Sequence, residues 1–217
     1  MSLSVDELVV ADPADAWVQA GFGVGPDHRC HVGGVRIHLA GHSSGTGIVG
    51  WSLRGLPPDA PPDLDGIPTA ASDFGASESE AHTDGSHANG VVAIDHVVLM
   101  SPNLDRTVAS LGAVGAVPRR ERVAELGGRP IRQIFFRFGA VIVEVVGSPG
   151  AAGDAPSTLW GVTFTVADIE ASAAFFGERT TAVKDAVQPG RRITTLHHRE
   201  LGMSVRTALI SSPILST

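Results

Sequence analysis

The sequence predicts an α+β protein made of tandem βαβββ modules, and three observations carry that expectation. The order of strand and helix signals repeats, the strand segments alternate apolar with polar positions, and a stretch without periodic apolar residues precedes the repeats. That stretch is residues 57–90 (PPDAPPDLDGIPTAASDFGASESEAHTDGSHANG), where proline, glycine, serine and acidic residues offer little apolar surface to offset the entropy of ordering. Residues 58–90 are therefore assigned as a flexible linker, with Leu64 and Ile67 as its docking points.

The first module occupies residues 91–149. Residues 91–101 read as a strand, Pro102-Asn103-Leu104-Asp105 opens a helix ending near Ala113, and three strands follow near 118–125, 129–138 and 140–146, with Gly127-Gly128 and Gly139 as turn residues. Residues 158–211 repeat the order: a strand over 159–166, a helix over 167–176, strand material near 182–187 and 191–198, and a last strand over 202–210. IDHVVLMSPNLD overlays LWGVTFTVADIE, and GAVIVEVVGS overlays GMSVRTALIS, a period of about 65 residues.

Residues 1–57 read either as a third, degenerate βαβββ module or as an unrelated α+β cap. Gly33-Gly34 turns a hairpin with Val35, Ile37 and Leu39 on one face, and Val49, Trp51 and Leu53 alternate beyond it. With no fourth module visible, this apolar face needs a cover, either the C-terminal barrel or a second copy of the chain. A homodimer is the preferred expectation.

The 217 residues are 43% hydrophobic and 18% charged, enough for a real core, and the net charge is −7. An acidic balance lacks the phosphate-neutralising surface that nucleic-acid binding needs. Cys30 is the single cysteine, so neither an intrachain disulfide nor a thiolate cage can form. The most apolar run, residues 91–100, is interrupted by Asp95 and His96 and is short for a bilayer span, while Asp6 and Glu7 stand where a signal peptide carries positive charge. These features predict a cytoplasmic protein without membrane or nucleic-acid partners.

The tetrad Asp95-His96-Val97-Val98, the glutamate of VIVEVVG (Glu144) and the tandem module order resemble the vicinal oxygen chelate superfamily of glyoxalases, bleomycin-resistance proteins and dioxygenases. RQIFFRFGAVIVEVVG and DAVQPGRRI are similar to stretches of glyoxalase-like actinobacterial proteins of unknown function. The resemblance implies an open curved barrel and a small-molecule ligand. It also implies a divalent metal (zinc, nickel, manganese or iron) held by His96 and Glu144, with Glu144 catalytic in a lyase, isomerase or dioxygenase acting on vicinal oxygens.

Strand periodicity supports part of this independently. Ala140, Ile142, Glu144 and Val146 share one face, as do Ile94, His96, Val98 and Met100, so a carboxylate and an imidazole enter one apolar hollow. Arg132 and Arg137 fall on opposite faces; Arg137 shares one with Gln133, and both are candidate ligand contacts. Trp160, Phe136 and Phe164 are candidate packing residues, and Gln188, Arg191 and Arg192 flank a turn at Pro189-Gly190, where they either gate a substrate or form an ordinary polar turn, the latter preferred. The overlay then places Gly161 where a second histidine belongs and Thr207 where a second glutamate belongs. Half a metal site remains, for His197, His198, Glu7 or a second subunit to complete. The competing reading is a metal-free protein of the bleomycin-resistance type that binds or sequesters a small molecule.

Three further patterns carry less. His28, Cys30, His31, His38 and His42 match no zinc spacing. Gly41-His42-Ser43-Ser44-Gly45 fits G-x-S-x-G, and Gly45-Thr46-Gly47-Ile48-Val49-Gly50 fits G-x-G-x-x-G, yet both lead into a predicted strand rather than the helix that either motif requires.

Overall fold

The structure is a computed structural model that describes residues 2–72 and 87–213. Both C-terminal modules have the expected α+β form. In the first, β7 (Val91–Met100) leads into α2 (Leu104–Ala113), then β8 (Arg120–Leu126), β9 (Arg129–Phe138) and β10 (Val141–Gly147). β10 returns parallel to β7, and β9 and β8 continue antiparallel, giving the order β7-β10-β9-β8. The second module repeats this with β11 (Thr158–Val166), α3 (Ile169–Phe176), β12 (Lys184–Asp185), β13 (Arg192–Thr195) and β14 (Arg206–Ser211). Its order is β11-β14-β13-β12, and β7 pairs antiparallel with β11 to join the two halves into one open sheet.

Local chemistry explains the helix starts. Asn103 caps α2 by accepting from the Arg106 amide, and Asp168 caps α3 by accepting from the Glu170 and Ala171 amides. Each cap satisfies amides that have no partner inside the first turn.

The N-terminal part departs from expectation. β1 (Ser4–Val10), α1 (Ala14–Gln19), β2 (Arg29–Val32) and β3 (Val35–Leu39) form a unit in which β3 runs parallel to β1 and antiparallel to β2. β4 (Ile48–Arg54), β5 (Asp63–Leu64) and β6 (Ile67–Ala71) form another, with β6 parallel to β4 and antiparallel to β5. β1 pairs antiparallel with β4, as β7 does with β11. The single degenerate module expected over residues 1–57 is thus replaced by two abbreviated ones, each a strand short and the second also without its helix.

The second abbreviated unit extends into the segment assigned as linker. Asp65-Gly66 is the reason: both residues hold the positive φ (54° and 84°) of a tight hairpin turn, which closes β5 on β6 and buries Leu64 and Ile67. The remainder of the expected flexible stretch falls mainly on residues 73–86, outside the described residues.

The same arrangement removes the face that motivated a homodimer. Val35, Ile37, Leu39, Trp51 and Leu53 are buried within the chain, and Trp51 stacks on Phe138 of β9 at 5.7 Å. Trp17 of α1 and Phe22 pack on Phe164 of β11 at 6.2 and 5.2 Å. The N-terminal pair is therefore covered by the barrel's outer, helix-bearing side.

Two buried aspartates fasten that contact. Asp12 accepts from the Ser204 amide at 2.6 Å, from its hydroxyl at 2.5 Å and from the Trp17 indole at 3.0 Å. Asp65 accepts from Arg106, Thr107 and Ser157. Among the described residues the strand pairing between the two halves is the single Ile48–Leu159 pair, so side chains carry much of the attachment.

Candidate small-molecule site

The inner face of the first module is a grid set by strand register. His96 on β7, Ile142 on β10 and Arg137 on β9 form one row; Val98, Glu144, Phe135 and Arg120 of β8 form the next. Val97, Val143 and Phe136, which alternate with these, are buried towards the helices. His96, Arg137 and Glu144 thus line one cavity of about 430 Å³, closed by the β12–β13 turn through Val187 and Gln188. Its floor is apolar, supplied by Phe135, Ile142, Ile193 and Ile210.

His96 sits between two carboxylates. Its Nδ1 lies 2.8 Å from Asp95 Oδ2, and its Nε2 is 3.7 Å from Glu144 Oε2. The other Asp95 oxygen receives Arg191 Nη1 at 2.6 Å. Burial alone would raise the Asp95 pKa, but the hydrogen bonds and charges of His96 and Arg191 outweigh it and hold the carboxyl below its ordinary value. An ionised Asp95 fixes the imidazole with Nδ1–H towards it, leaving Nε2 facing the cavity.

Glu144 is positioned by a second chain of contacts. Gln133 donates its amide to Glu144 Oε1, and Arg122 donates to Gln133 Oε1 at 2.5 Å. Gln133 is buried, so this relay also settles which way its amide faces. Asp95 was not among the residues expected to act on a ligand, and Arg191 was read as a turn residue, gating a substrate or merely polar, rather than as the anchor of Asp95. The signal that could have revealed them was the adjacency of Asp95 to His96 and the position of Arg191 beside the Pro189-Gly190 turn.

The second module offers no matching half. On β14 the register pairs Arg206 with Gly161 and Ala208 with Thr163, just as Ile142 pairs with His96 and Glu144 with Val98. Ala208, not Thr207, therefore occupies the position equivalent to Glu144; the sequence overlay was one residue out of step. Thr207 is 1% exposed, shares the helix-covered face with Leu209 and donates to the Val205 carbonyl.

Gly161 is required by packing. A Cβ there would lie 2.7 Å from the Arg206 carbonyl oxygen and 3.1 Å from its Cβ, so no histidine fits without moving β14. The metal-ligand set implied by the resemblance is consequently not met: His96 and Glu144 are two donors, and both Asp95 oxygens are engaged. His197 and His198 line a different cavity, and Glu7 is ion-paired with Arg29 at 3.1 Å. Among the described residues no group of three His, Cys, Asp or Glu side chains is placed to hold an ion. The N-terminal histidines do not converge either. His31 pairs with Arg36 and Arg29 with His38, while Cys30, between them on β2, points to the opposite face and is buried. Burial pushes the Cys30 thiol up to about 12, so it is inert at neutral pH.

Trp160 is separated from the His96–Glu144 cavity. It is 45% exposed and lines a second hollow of about 510 Å³ together with Gly161, His198, Arg206 and Ala208. Arg206 lies over its indole at 4.8 Å. Burial, reinforced by the positive charges of Arg206 and Arg199, lowers the His198 pKa and favours its neutral form. Phe136 and Phe164 are core residues, and Phe136 borders the first cavity.

The fold is the one expected from the resemblance, shared with solved structures of a synthase and of dioxygenases. The chain resembles a 4-hydroxymandelate synthase variant from Streptomyces coelicolor over 100% of its length and 94% of that chain, at 14% identity and a TM-score of 0.65. It also resembles a fusion protein of a xylose isomerase-like TIM barrel and 4-hydroxyphenylpyruvate dioxygenase over 100% of its length and 50% of that chain, at 15% identity and a TM-score of 0.64. A homoprotocatechuate 2,3-dioxygenase variant from B. fuscum matches over 99% of this chain and 72% of that one, at 13% identity and a TM-score of 0.57. No family model matches the sequence, and no curated protein does. Among the described residues, no helix is long and apolar enough to cross a membrane.

Proposed function

We propose that the chain binds a small organic molecule in the cavity around His96 and Glu144 and does so without a metal ion. The observation that carries this reading is Gly161. Where a second imidazole would stand, the Arg206 backbone leaves no room for a side chain, and the equivalent of Glu144 is Ala208. Two donors on one module do not satisfy the coordination of a zinc, nickel, manganese or iron ion. The retained histidine and glutamate instead offer a ligand an oriented Nε2 and a carboxylate set in an apolar hollow.

A second reading adds chemistry to binding. His96 is held by Asp95, which Arg191 anchors, and Glu144 is held by Gln133; such support is what a proton-transfer pair requires. One of the pair could remove a proton from a ligand atom while the other returns a proton to the neighbouring atom, giving an isomerase without metal. The likeness in fold to dioxygenases is compatible with either reading, because the module pair supplies the cavity and its side chains supply the chemistry.

Elemental analysis of protein purified without chelator tests the proposal. The expected result is far less than one transition-metal ion per chain, and a melting temperature unchanged by EDTA. A stoichiometric ion lost in both His96→Ala and Glu144→Gln would overturn it.

A further inference from the structure

We propose that this cavity selects small organic anions, a carboxylate or phosphate carried on an apolar body. The inference rests on the reading of the cavity as a ligand site and names the class of ligand it takes. Arg119, Arg120, Arg122 and Arg137 all line it, whereas Glu144 is the one carboxylate among its lining residues. The chain as a whole carries a net charge of −7, so this is a local concentration of positive charge against the overall balance.

Register explains why they gather. Arg120 and Arg122 are two residues apart on β8 and share a face; Arg120 stands opposite Phe135, and Arg122 opposite Gln133. Arg137 lies two residues beyond Phe135 on the same face of β9, and Arg119 precedes β8, tied there by its amide to the Phe135 carbonyl. Arg122 is spoken for: its guanidinium donates to Gln133 and lies 5.9 Å from the Phe135 ring centroid. Arg119, Arg120 and Arg137 make no ion pair among the described residues. By contrast Arg132, on the outer face of β9, is paired with Glu121.

Charged groups of one sign around a low-dielectric hollow focus the field inside it, and a guanidinium binds carboxylate and phosphate oxygens through paired donors. The apolar floor receives the rest of the molecule, while His96 Nε2 and Glu144 remain available to a polar atom further in. A neutral ligand of the same shape would gain the floor and lose the arginines.

The test is calorimetric titration of the full chain with benzoate, phenyl phosphate and the neutral benzamide, at low and at high salt. At least one of the two anions should bind about tenfold more tightly than benzamide, with the advantage shrinking in high salt. The stronger of the two identifies the headgroup. Arg137→Gln and Arg119→Gln, both exposed positions, should weaken that anion by about fivefold or more and leave benzamide unaffected, whereas Arg132→Gln should change neither. Benzamide binding as well as both anions would overturn anion selection while leaving the cavity a ligand site. Failure of all three to bind at about 10 mM would overturn both. Anion binding unaffected by both arginine variants would place the anion elsewhere and sink the inference.

Discussion

Introducing the two missing ligands, Gly161→His with Ala208→Glu, is expected to destabilise the protein and still not create a metal centre. The Cβ at position 161 would sit 2.7 Å from the Arg206 carbonyl oxygen, and that oxygen belongs to the backbone of β14, so relief requires a shift between the paired strands β11 and β14. Overpacking of this kind costs about 1–3 kcal/mol, a fall in melting temperature of a few degrees for a chain of this size. Gly161→Ala isolates the effect: it should carry most of the loss, while Ala208→Glu alone, in a position bordering a cavity, should carry less. Denaturant melts and zinc titration of the three variants check the claim. A double variant as stable as the parent that binds one zinc per chain would show that the second half-site was lost for want of ligands rather than of room.

Asp65→Ala should be among the most damaging single substitutions. The carboxylate is 4% exposed and accepts from the Arg106 guanidinium, the Thr107 hydroxyl and the Ser157 hydroxyl, joining the β5–β6 turn to α2 and to the start of β11. Its loss takes the carboxylate from the Arg106 guanidinium, which keeps the Gly153 and Ala155 carbonyls, and removes one acceptor from the Thr107 and Ser157 hydroxyls, which keep each other; lost hydrogen bonds to a buried charged group of this kind cost about 1–3 kcal/mol. Alanine also adopts positive φ poorly, so Asp65→Asn, which tolerates φ 54° and keeps the shape, separates charge from backbone.

The pH dependence follows from the same contacts. Burial alone would raise the Asp65 pKa, but the hydrogen bonds from Ser157, Thr107 and Arg106 and the Arg106 charge outweigh it, leaving a net lowering. A carboxyl whose folded pKa lies below its unfolded value contributes stability that is complete above the unfolded pKa, about 4, and lost as pH falls through the folded value. Asp95 follows the same sign. Denaturant melts should therefore show the gap between parent and Asp65→Asn to be constant at neutral pH and to close below about pH 4. A gap that widens on acidification would mean that Asp65 is not ionised in the folded protein.

Module order, the start of α2 and the shared face of His96 and Glu144 were legible in the residues, whereas α3 was read from residue 167 and starts at Ile169, after its Asp168 cap. The legible features depend on signals local to one element: a period of two along a strand, and an asparagine ahead of an apolar run. Asp65-Gly66 was also legible as a hairpin turn, but its surroundings of proline and acidic residues obscured it. Two residues of β5 and five of β6 are too few to show periodicity, and they are ordered because Leu64 and Ile67 find a surface prepared by the rest of the chain.

Three matters were decided only by the tertiary structure, because they depend on pairing between distant segments. The register of β14 on β11 made Ala208 rather than Thr207 the counterpart of Glu144, and a shift of one residue reverses the face of every side chain. The close approach of Arg206 to Gly161 turned an absent ligand into an excluded one. The antiparallel pairing of β1 with β4 supplied the fourth module within the chain and so buried the face that the sequence alone had left to either the C-terminal barrel or a second copy. Side-chain alternation reports which residues lie together on a strand, whereas the strand that lies beside it is chosen by burial and backbone hydrogen bonding over the whole sheet.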